Sequence, residues 1–174
     1  MFSDYEYDDN TFPLAYLITF RCYGTWLHGD EKGAVDRHGK NIYGTADISA
    51  NKNLKELMRE KMPQSAFLLD KTQRQKVEEA IAGVCQYKNY NLHAVNARSN
   101  HVHFVVAAAS KPELLINIFK AYSTRKLREE KLVNSEVRLW SRGGSRRYLW
   151  KPRHVALAVE YVLYGQGDIP SELL

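Results

Sequence analysis

The stretch HVHFVVAA, residues 101–108, decides how the fold is read, because it is both strand-forming and chemically two-sided. β-Branched and aromatic residues dominate it, which is typical of a strand, and successive side chains of a strand point to opposite faces. One face carries Val102, Phe104, Val106 and Ala108, whereas the other carries His101, His103, Val105 and Ala107. We expect the first face to lie in the hydrophobic core and the second to carry a functional site.

The segments around this strand complete an order of elements that indicates a fold. Strands are predicted over 14–23 and 91–98, helices over 70–87, from Pro112 onwards and over 152–164, and one or two short strands within 138–154. Apart from a loop-rich insertion at about 24–65 and the last helix, the order is β-α-β-β-α-β. It predicts an α+β, ferredoxin-like antiparallel sheet with helices on one face. The C-terminal helix is expected to lie over the site face.

Length and composition favour a single globular domain over residues 1–174. The 174 residues are 44% hydrophobic and 11% aromatic, which is enough for a core. The insertion is polar and glycine-rich, contains one helical candidate at 54–61, and is long for a connection in a compact domain. Cys22 and Cys85 form no spacing pattern, and no apolar run reaches membrane-spanning length. We therefore expect a cytoplasmic protein with reduced thiols and no membrane partner.

Positive charge is concentrated in one part of the chain. Residues 95–154 hold 13 Lys and Arg against 4 Asp and Glu, and the stretch 138–154 combines cations and aromatic rings with no acid. A solvated helix face is the plainer interpretation of any one charge cluster, but cations interleaved with flat rings suit single-stranded nucleic acid. The predicted DNA-binding residues are Arg138, Trp140, Arg142, Arg146, Arg147, Tyr148, Trp150, Lys151 and Arg153, with Trp26 and Arg37 from the insertion.

The two histidines also have a plain interpretation, as half-exposed imidazoles hydrogen-bonded to their neighbours. Two imidazoles on one strand face are nevertheless close enough to bind one divalent metal ion, which then needs further ligands. His93 is a candidate neighbour across the hairpin. Tyr161 and Tyr164 of the last helix are most simply core or interface residues, but a tyrosine hydroxyl can attack a phosphodiester that a metal ion polarises.

Several segments together carry a family resemblance. NHVHFVV at 100–106, LWSRG at 139–143, VEYVL at 159–163 and the opening LITFRCYGTWLHGDEKGAVDRHGKNIYG at 17–44 resemble the single-tyrosine transposases of the HUH nuclease superfamily, and most closely the REP-associated ones. The resemblance covers nearly the whole chain. It implies a metal-dependent DNA transposase that nicks and joins single-stranded DNA at hairpin sites. The joining step would use a 5′-phosphotyrosine link and would need no ATP.

The same resemblance implies roles for individual residues. His101, His103 and Gln166 would hold Mg²⁺ or Mn²⁺, and Tyr161 would be the nucleophile. The family commonly has Asn or Gln one turn after its nucleophile, whereas this chain has Gly165 there and the amide at the next residue. Tyr164 is the alternative nucleophile.

Two questions stay open at the level of sequence. The protein is either an active transposase or a catalytically inactive, domesticated module that binds single-stranded DNA or RNA hairpins, and Gly165 favours the second reading. A monomer and a homodimer both fit the resemblance. In either case the expected location is the bacterial cytoplasm, in association with the nucleoid.

Overall fold

The computed structural model describes residues 12–27 and 52–165. The strands are β1 (Ala15–Arg21), β2 (Asn91–Ala97), β3 (His101–Ala107) and β4 (Ser145–Leu149), and the helices are α1 (Lys52–Glu60), α2 (Lys71–Lys88), α3 (Pro112–Glu129) and α4 (Pro152–Tyr164). Every element predicted from the sequence is present, with its ends moved by a few residues at most. The helix predicted over 152–164 has the predicted bounds.

The strands form one antiparallel sheet in the order β2-β3-β1-β4. β1 is central, with Ile18 opposite Phe104 of β3 and opposite Arg146 of β4. In this order each β-α-β crossover passes over one intervening strand, which is the ferredoxin-like arrangement of a β-α-β-β-α-β chain. The predicted α+β, ferredoxin-like class is therefore confirmed.

One face of the sheet packs against α2 and α3, as the alternation in β3 predicts. Val102, Phe104 and Val106 are fully buried in the cluster that these two helices cover. Phe104 meets Phe119 of α3 edge to face, with 4.7 Å between the ring centroids. This face holds the larger part of the core.

The opposite face, which we call the site face because it bears His101 and His103, packs against α4. Val105 of β3 is fully buried there together with Ala158 and Val162 of α4. These two small apolar residues are one turn apart on the helix, so they form the stripe that lies on the sheet. The C-terminal helix thus covers the site face, as expected.

Part of the predicted insertion lies outside the described residues. The positions 28–51, with the candidate Arg37, belong to that part. The helical candidate at 54–61 is α1, and all of its side chains are exposed or half-buried. In the described part of the chain, no helix has both the length and the apolarity to cross a bilayer.

Helix α2 begins with a capping box that fixes where it starts. Asp70 Oδ1 accepts a hydrogen bond from the backbone N–H of Gln73 at 2.8 Å, and Gln73 Oε1 accepts one from the backbone N–H of Asp70 at 3.0 Å. Gln73 Nε2 also donates to the carbonyl oxygen of Leu132 at 3.0 Å. The cap therefore ties the start of α2 to the segment that follows α3.

We expect Asp70→Ala to lower the free energy of unfolding by about 1 kcal/mol, because it leaves an N-terminal N–H of α2 without its acceptor. Asp70→Asn retains a side-chain oxygen that can accept the same hydrogen bond, so it should lower the free energy of unfolding by only a fraction of that amount. Urea denaturation of the two variants beside the unsubstituted protein measures both effects. Equal destabilisation by Ala and Asn would contradict the capping role.

Candidate active site

The histidine pair, His101 and His103, lies on the site face under the end of α4. Their ring centroids are 5.0 Å apart with an interplanar angle of 88°. His103 is 3% exposed and His101 is half-buried. Across the sheet, His103 is opposite Asn96 of β2 and Thr19 of β1. The pair predicted from alternation is therefore brought together in a partly enclosed place.

Burial determines the protonation state of His103. It lowers the pKa of the imidazole from 6.5 to about 4, with smaller contributions in the same direction from the charges of His101 and Arg98. The ring is consequently neutral at pH 7. Its Nε2 atom is buried and has no hydrogen-bond partner among the described residues. A buried polar atom without a partner is costly unless something binds it, and a neutral imidazole nitrogen is a metal ligand.

His101 is oriented by the residue before it. Its Nδ1 lies 2.7 Å from Oδ1 of Asn100. Since that oxygen accepts, Nδ1 of His101 is the donor in this contact. Metal-binding histidines are commonly held in this way, with the second ring nitrogen donating to an oxygen. Both imidazoles therefore fit a role as ligands of one divalent ion.

Further ligands for such an ion must come from elsewhere. Within the described ranges, no group of three or more His, Cys, Asp or Glu side chains is placed to hold a metal ion. Gln166, the third ligand implied by the resemblance, lies outside the described residues. His93 is not a neighbour of the pair, because it is exposed where the β2–β3 register shifts between Leu92 and Ala94. The residue opposite His103 is Asn96, which sequence reasoning missed.

Helix α4 brings one of its two candidate tyrosines against the histidines. The ring centroid of Tyr161 is 5.5 Å from that of His103, at an interplanar angle of 75°. Tyr161 is half-buried, whereas Tyr164 is 75% exposed. The side chain that the structure places beside the pair is thus Tyr161.

The predicted DNA-binding residues are distributed over several places. Trp140 packs into the core, where its Nε1 donates to Thr124 Oγ1 at 2.9 Å and its ring meets Phe20 edge to face. The guanidinium of Arg138 lies 5.5 Å from the ring centroid of Tyr23. Arg142 is exposed. The fold therefore accounts for Trp140 as a core residue.

Strand β4, at the edge of the described sheet, presents its remaining candidates on both faces. Arg147 is opposite Leu17 and so lies on the site face. Tyr148 and Trp150 are stacked with an interplanar angle of 10° and a centroid distance of 6.3 Å, and they are 45% and 41% exposed. Arg146 is paired with Glu113 at 2.7 Å. The exposed cations Lys151 and Arg153 follow the aromatic stack.

Trp26 lies near the histidine pair by way of an arginine that sequence reasoning missed. The Arg21 guanidinium carbon is 3.1 Å from the ring centroid of Trp26, a cation–π contact. Arg21 is opposite His101 in the β1–β3 register. Alternation along β1 alone could assign Arg21 to a face, but its place beside His101 follows only from the register.

Comparison with known proteins gives one family. The family model described as "Transposase IS200 like" matches residues 52–162, which is more than half of the chain. The matched range includes His101, His103 and Tyr161. A search of the curated proteins finds no match to this sequence.

We expect the stability of the metal-free protein to fall as the pH is lowered from about 6.5 towards 4. The folded state holds His103 neutral with a pKa of about 4, whereas the unfolded chain takes up a proton near 6.5. The free energy of unfolding is therefore at its full value above the unfolded pKa. It falls as the pH drops from 6.5 towards 4, by as much as about 3 kcal/mol.

Urea denaturation in EDTA at pH 7 and pH 4.5 measures this effect. His103→Gln, which does not titrate, should lose less stability between the two values than the unsubstituted protein. His93→Gln is the matched control, because His93 is exposed, and it should keep the original pH dependence. Identical pH dependence in all three proteins would disprove the assignment.

Proposed function

Because the chain belongs to the IS200-like transposase family, we propose that it nicks and rejoins single-stranded DNA at hairpin sites of the REP type. The observation that carries the proposal is the contact of the Tyr161 ring with His103, at 5.5 Å between centroids, beside a second imidazole. A nucleophile next to two imidazoles that can serve as metal ligands suits attack on a phosphodiester. The REP-associated subtype rests on the sequence resemblance.

In the proposed reaction the Tyr161 oxygen attacks the phosphorus of a phosphodiester. A new bond forms between that oxygen and phosphorus, and the bond from phosphorus to the 3′ oxygen of the preceding nucleotide breaks. The tyrosine loses its proton and the departing 3′ oxygen gains one. The products are a 5′-phosphotyrosine link and a free 3′-hydroxyl. Attack by a 3′-hydroxyl on the link reverses the step, so rejoining consumes no ATP.

His101 and His103 would hold a divalent ion, Mg²⁺ or Mn²⁺, with Gln166 as a further ligand. Such an ion supplies charge neutralisation on the phosphate oxygens as the phosphorus is attacked. The chain's own contribution is to orient His101 through the Asn100 contact and to keep His103 neutral through burial. Helix α4 holds the phenol of Tyr161 against them.

The stacked pair Tyr148 and Trp150 is the proposed DNA platform. Both rings are partly exposed and parallel, and cations flank them in the chain. Unpaired bases stack on such rings without regard to sequence, while Lys and Arg bind phosphates. Arg147 lies on the site face of the same strand. A strand of DNA that crosses the β4 edge would therefore meet both the aromatic pair and Arg147.

A binding protein without chemistry is the second candidate. The observation in its favour is Gly165, which stands where the family commonly has an amide side chain. Both candidates predict hairpin binding, and only the first predicts a covalent protein–DNA adduct.

We expect Tyr161→Phe to abolish the covalent adduct while changing the affinity for hairpin DNA by less than about twofold, because it removes the attacking oxygen and leaves the ring. The assay incubates the protein and Mn²⁺ with 3′-labelled single-stranded hairpins, since the adduct retains the 3′ part of the strand. A protease-sensitive band on a denaturing gel reports the adduct.

Tyr164→Phe is the matched control, because Tyr164 is on the same helix but 75% exposed, and it should form the adduct normally. Loss of the adduct with Tyr164→Phe alone would move the nucleophile to that residue. Tight binding without an adduct in the unsubstituted protein, with Mg²⁺ or Mn²⁺, would establish the second candidate.

We expect Trp150→Ala to weaken binding of single-stranded hairpin DNA by about 5-fold to 150-fold, the equivalent of roughly 1–3 kcal/mol for one stacked base. Fluorescence anisotropy with a labelled hairpin measures it. Tyr87→Ala is the control, because Tyr87 is an aromatic residue of α2 that is 78% exposed. If both variants bound as the unsubstituted protein does, the platform would not contact DNA.

A further inference from the structure

The end of α4 is tied to the end of β2 by two side chains, one in the strand and one directly after it. Asn96 Nδ2 donates to the carbonyl oxygen of Val162 at 2.9 Å, and Arg98 Nη2 donates to that of Gly165 at 3.5 Å. Carbonyl groups in the last turn of a helix lack partners within the helix, so they accept from elsewhere. Asn96 and Arg98 are two residues apart and hence on the same side of the chain. We call these two hydrogen bonds the α4 latch.

The latch joins the two halves of the site. Asn96 is opposite His103 in the β2–β3 register, and Val162 directly follows Tyr161. Directly opposite residues of an antiparallel pair have their Cβ atoms about 5 Å apart. The Asn96 side chain therefore connects the strand position opposite His103 to the turn of α4 that carries Tyr161. The Tyr161 and His103 rings are also in contact, so the sheet and the helix meet here both through a hydrogen bond and through these rings.

Gly165 contributes to the same arrangement through its missing side chain. A Cβ atom at this position would lie 2.5 Å from the Tyr161 carbonyl oxygen and 2.7 Å from Cδ2 of the Tyr161 ring. Its φ of −66° is open to any residue, so the requirement for glycine is steric and not conformational. The Tyr161 ring thus lies over a backbone position that a side chain would occupy.

We propose that Asn96, Arg98 and Gly165 are positioning residues that hold the Tyr161 phenol against the histidine pair. The inference rests on the proposed role of Tyr161 as nucleophile. Since Ala158 and Val162 are fully buried against the sheet, the latch is not needed to keep α4 docked. It sets where the last turn lies, and through it the distance from phenol to histidines.

The test compares Asn96→Leu with Asn91→Leu. Leucine has nearly the shape of asparagine but cannot donate to the Val162 carbonyl, and Asn91 is an exposed residue of the same strand. We expect Asn96→Leu to slow single-turnover adduct formation by about 10-fold to 100-fold, because small displacements of reacting groups have effects of this size. The Kd for hairpin DNA should change less than twofold. Asn91→Leu should leave both quantities unchanged.

Two further variants separate positioning from a structural role. Asn96→Gln keeps the amide donor and should recover part of the rate, whereas Gly165→Ala should slow adduct formation through the added Cβ. A purely structural role would lower the melting temperature without this split between rate and affinity. Normal adduct rates in both Asn96→Leu and Gly165→Ala would overturn the inference.

A second readout does not depend on catalysis. With 3-fluorotyrosine incorporated at position 161 alone, the Tyr161 resonance and its contacts to the His103 ring are followed by NMR. We expect the contacts between the Tyr161 and His103 rings in the protein with an intact latch, and we expect Asn96→Leu to lose them. If no adduct forms but the contacts depend on Asn96, the proposed function fails while the positioning role stands. If the contacts survive in Asn96→Leu, the positioning role fails.

Discussion

The packing of α4 on the site face is the interaction on which the rest of the site depends. Ala158 and Val162 are small enough for the helix to lie close to the sheet, and both are fully buried with Val105. This contact covers the part of the site face around Val105, and the histidine pair lies under the end of the helix. Tyr161 precedes one of the buried residues, so its ring reaches His103. Without this contact the tyrosine and the imidazoles would be unrelated parts of the chain.

The same burial sets the chemistry of the histidines. Removing His103 from water costs most for its charged form, so its pKa falls to about 4 and the ring stays neutral at pH 7. A neutral ring repels neither a cation nor the neighbouring imidazole. His101 is less buried and is oriented by Asn100. One packing contact therefore places the proposed nucleophile and also keeps a proposed ligand in its metal-binding form.

Much of this arrangement could be predicted from local sequence pattern. Alternation along 101–108 separates the core face from the site face, and the stop at Gly165 bounds α4, because both signals are local. The partner of the histidines on β1 could not be predicted, since the register of β1 against β3 is a relation between distant segments, whereas the register of β2 is fixed by the short hairpin. Across the hairpin Asn96, and not His93, is opposite His103, and pairing with β1 puts Arg21 beside His101. Trp140 is predicted to bind DNA but packs into the core, because the sequence of a basic, aromatic stretch does not show which of its rings the core buries.

Gly165 bears on whether the departure from the family pattern signals lost activity. A side chain at 165 and the observed place of the Tyr161 ring exclude each other, because a Cβ at 165 would lie 2.7 Å from that ring. The glycine and the position of the proposed nucleophile are therefore linked. The Gly165 N–H still donates to the Tyr161 carbonyl at 2.9 Å, and its ψ of 124° takes the chain out of the helix. Glycine at 165 is thus compatible with the proposed attack by Tyr161.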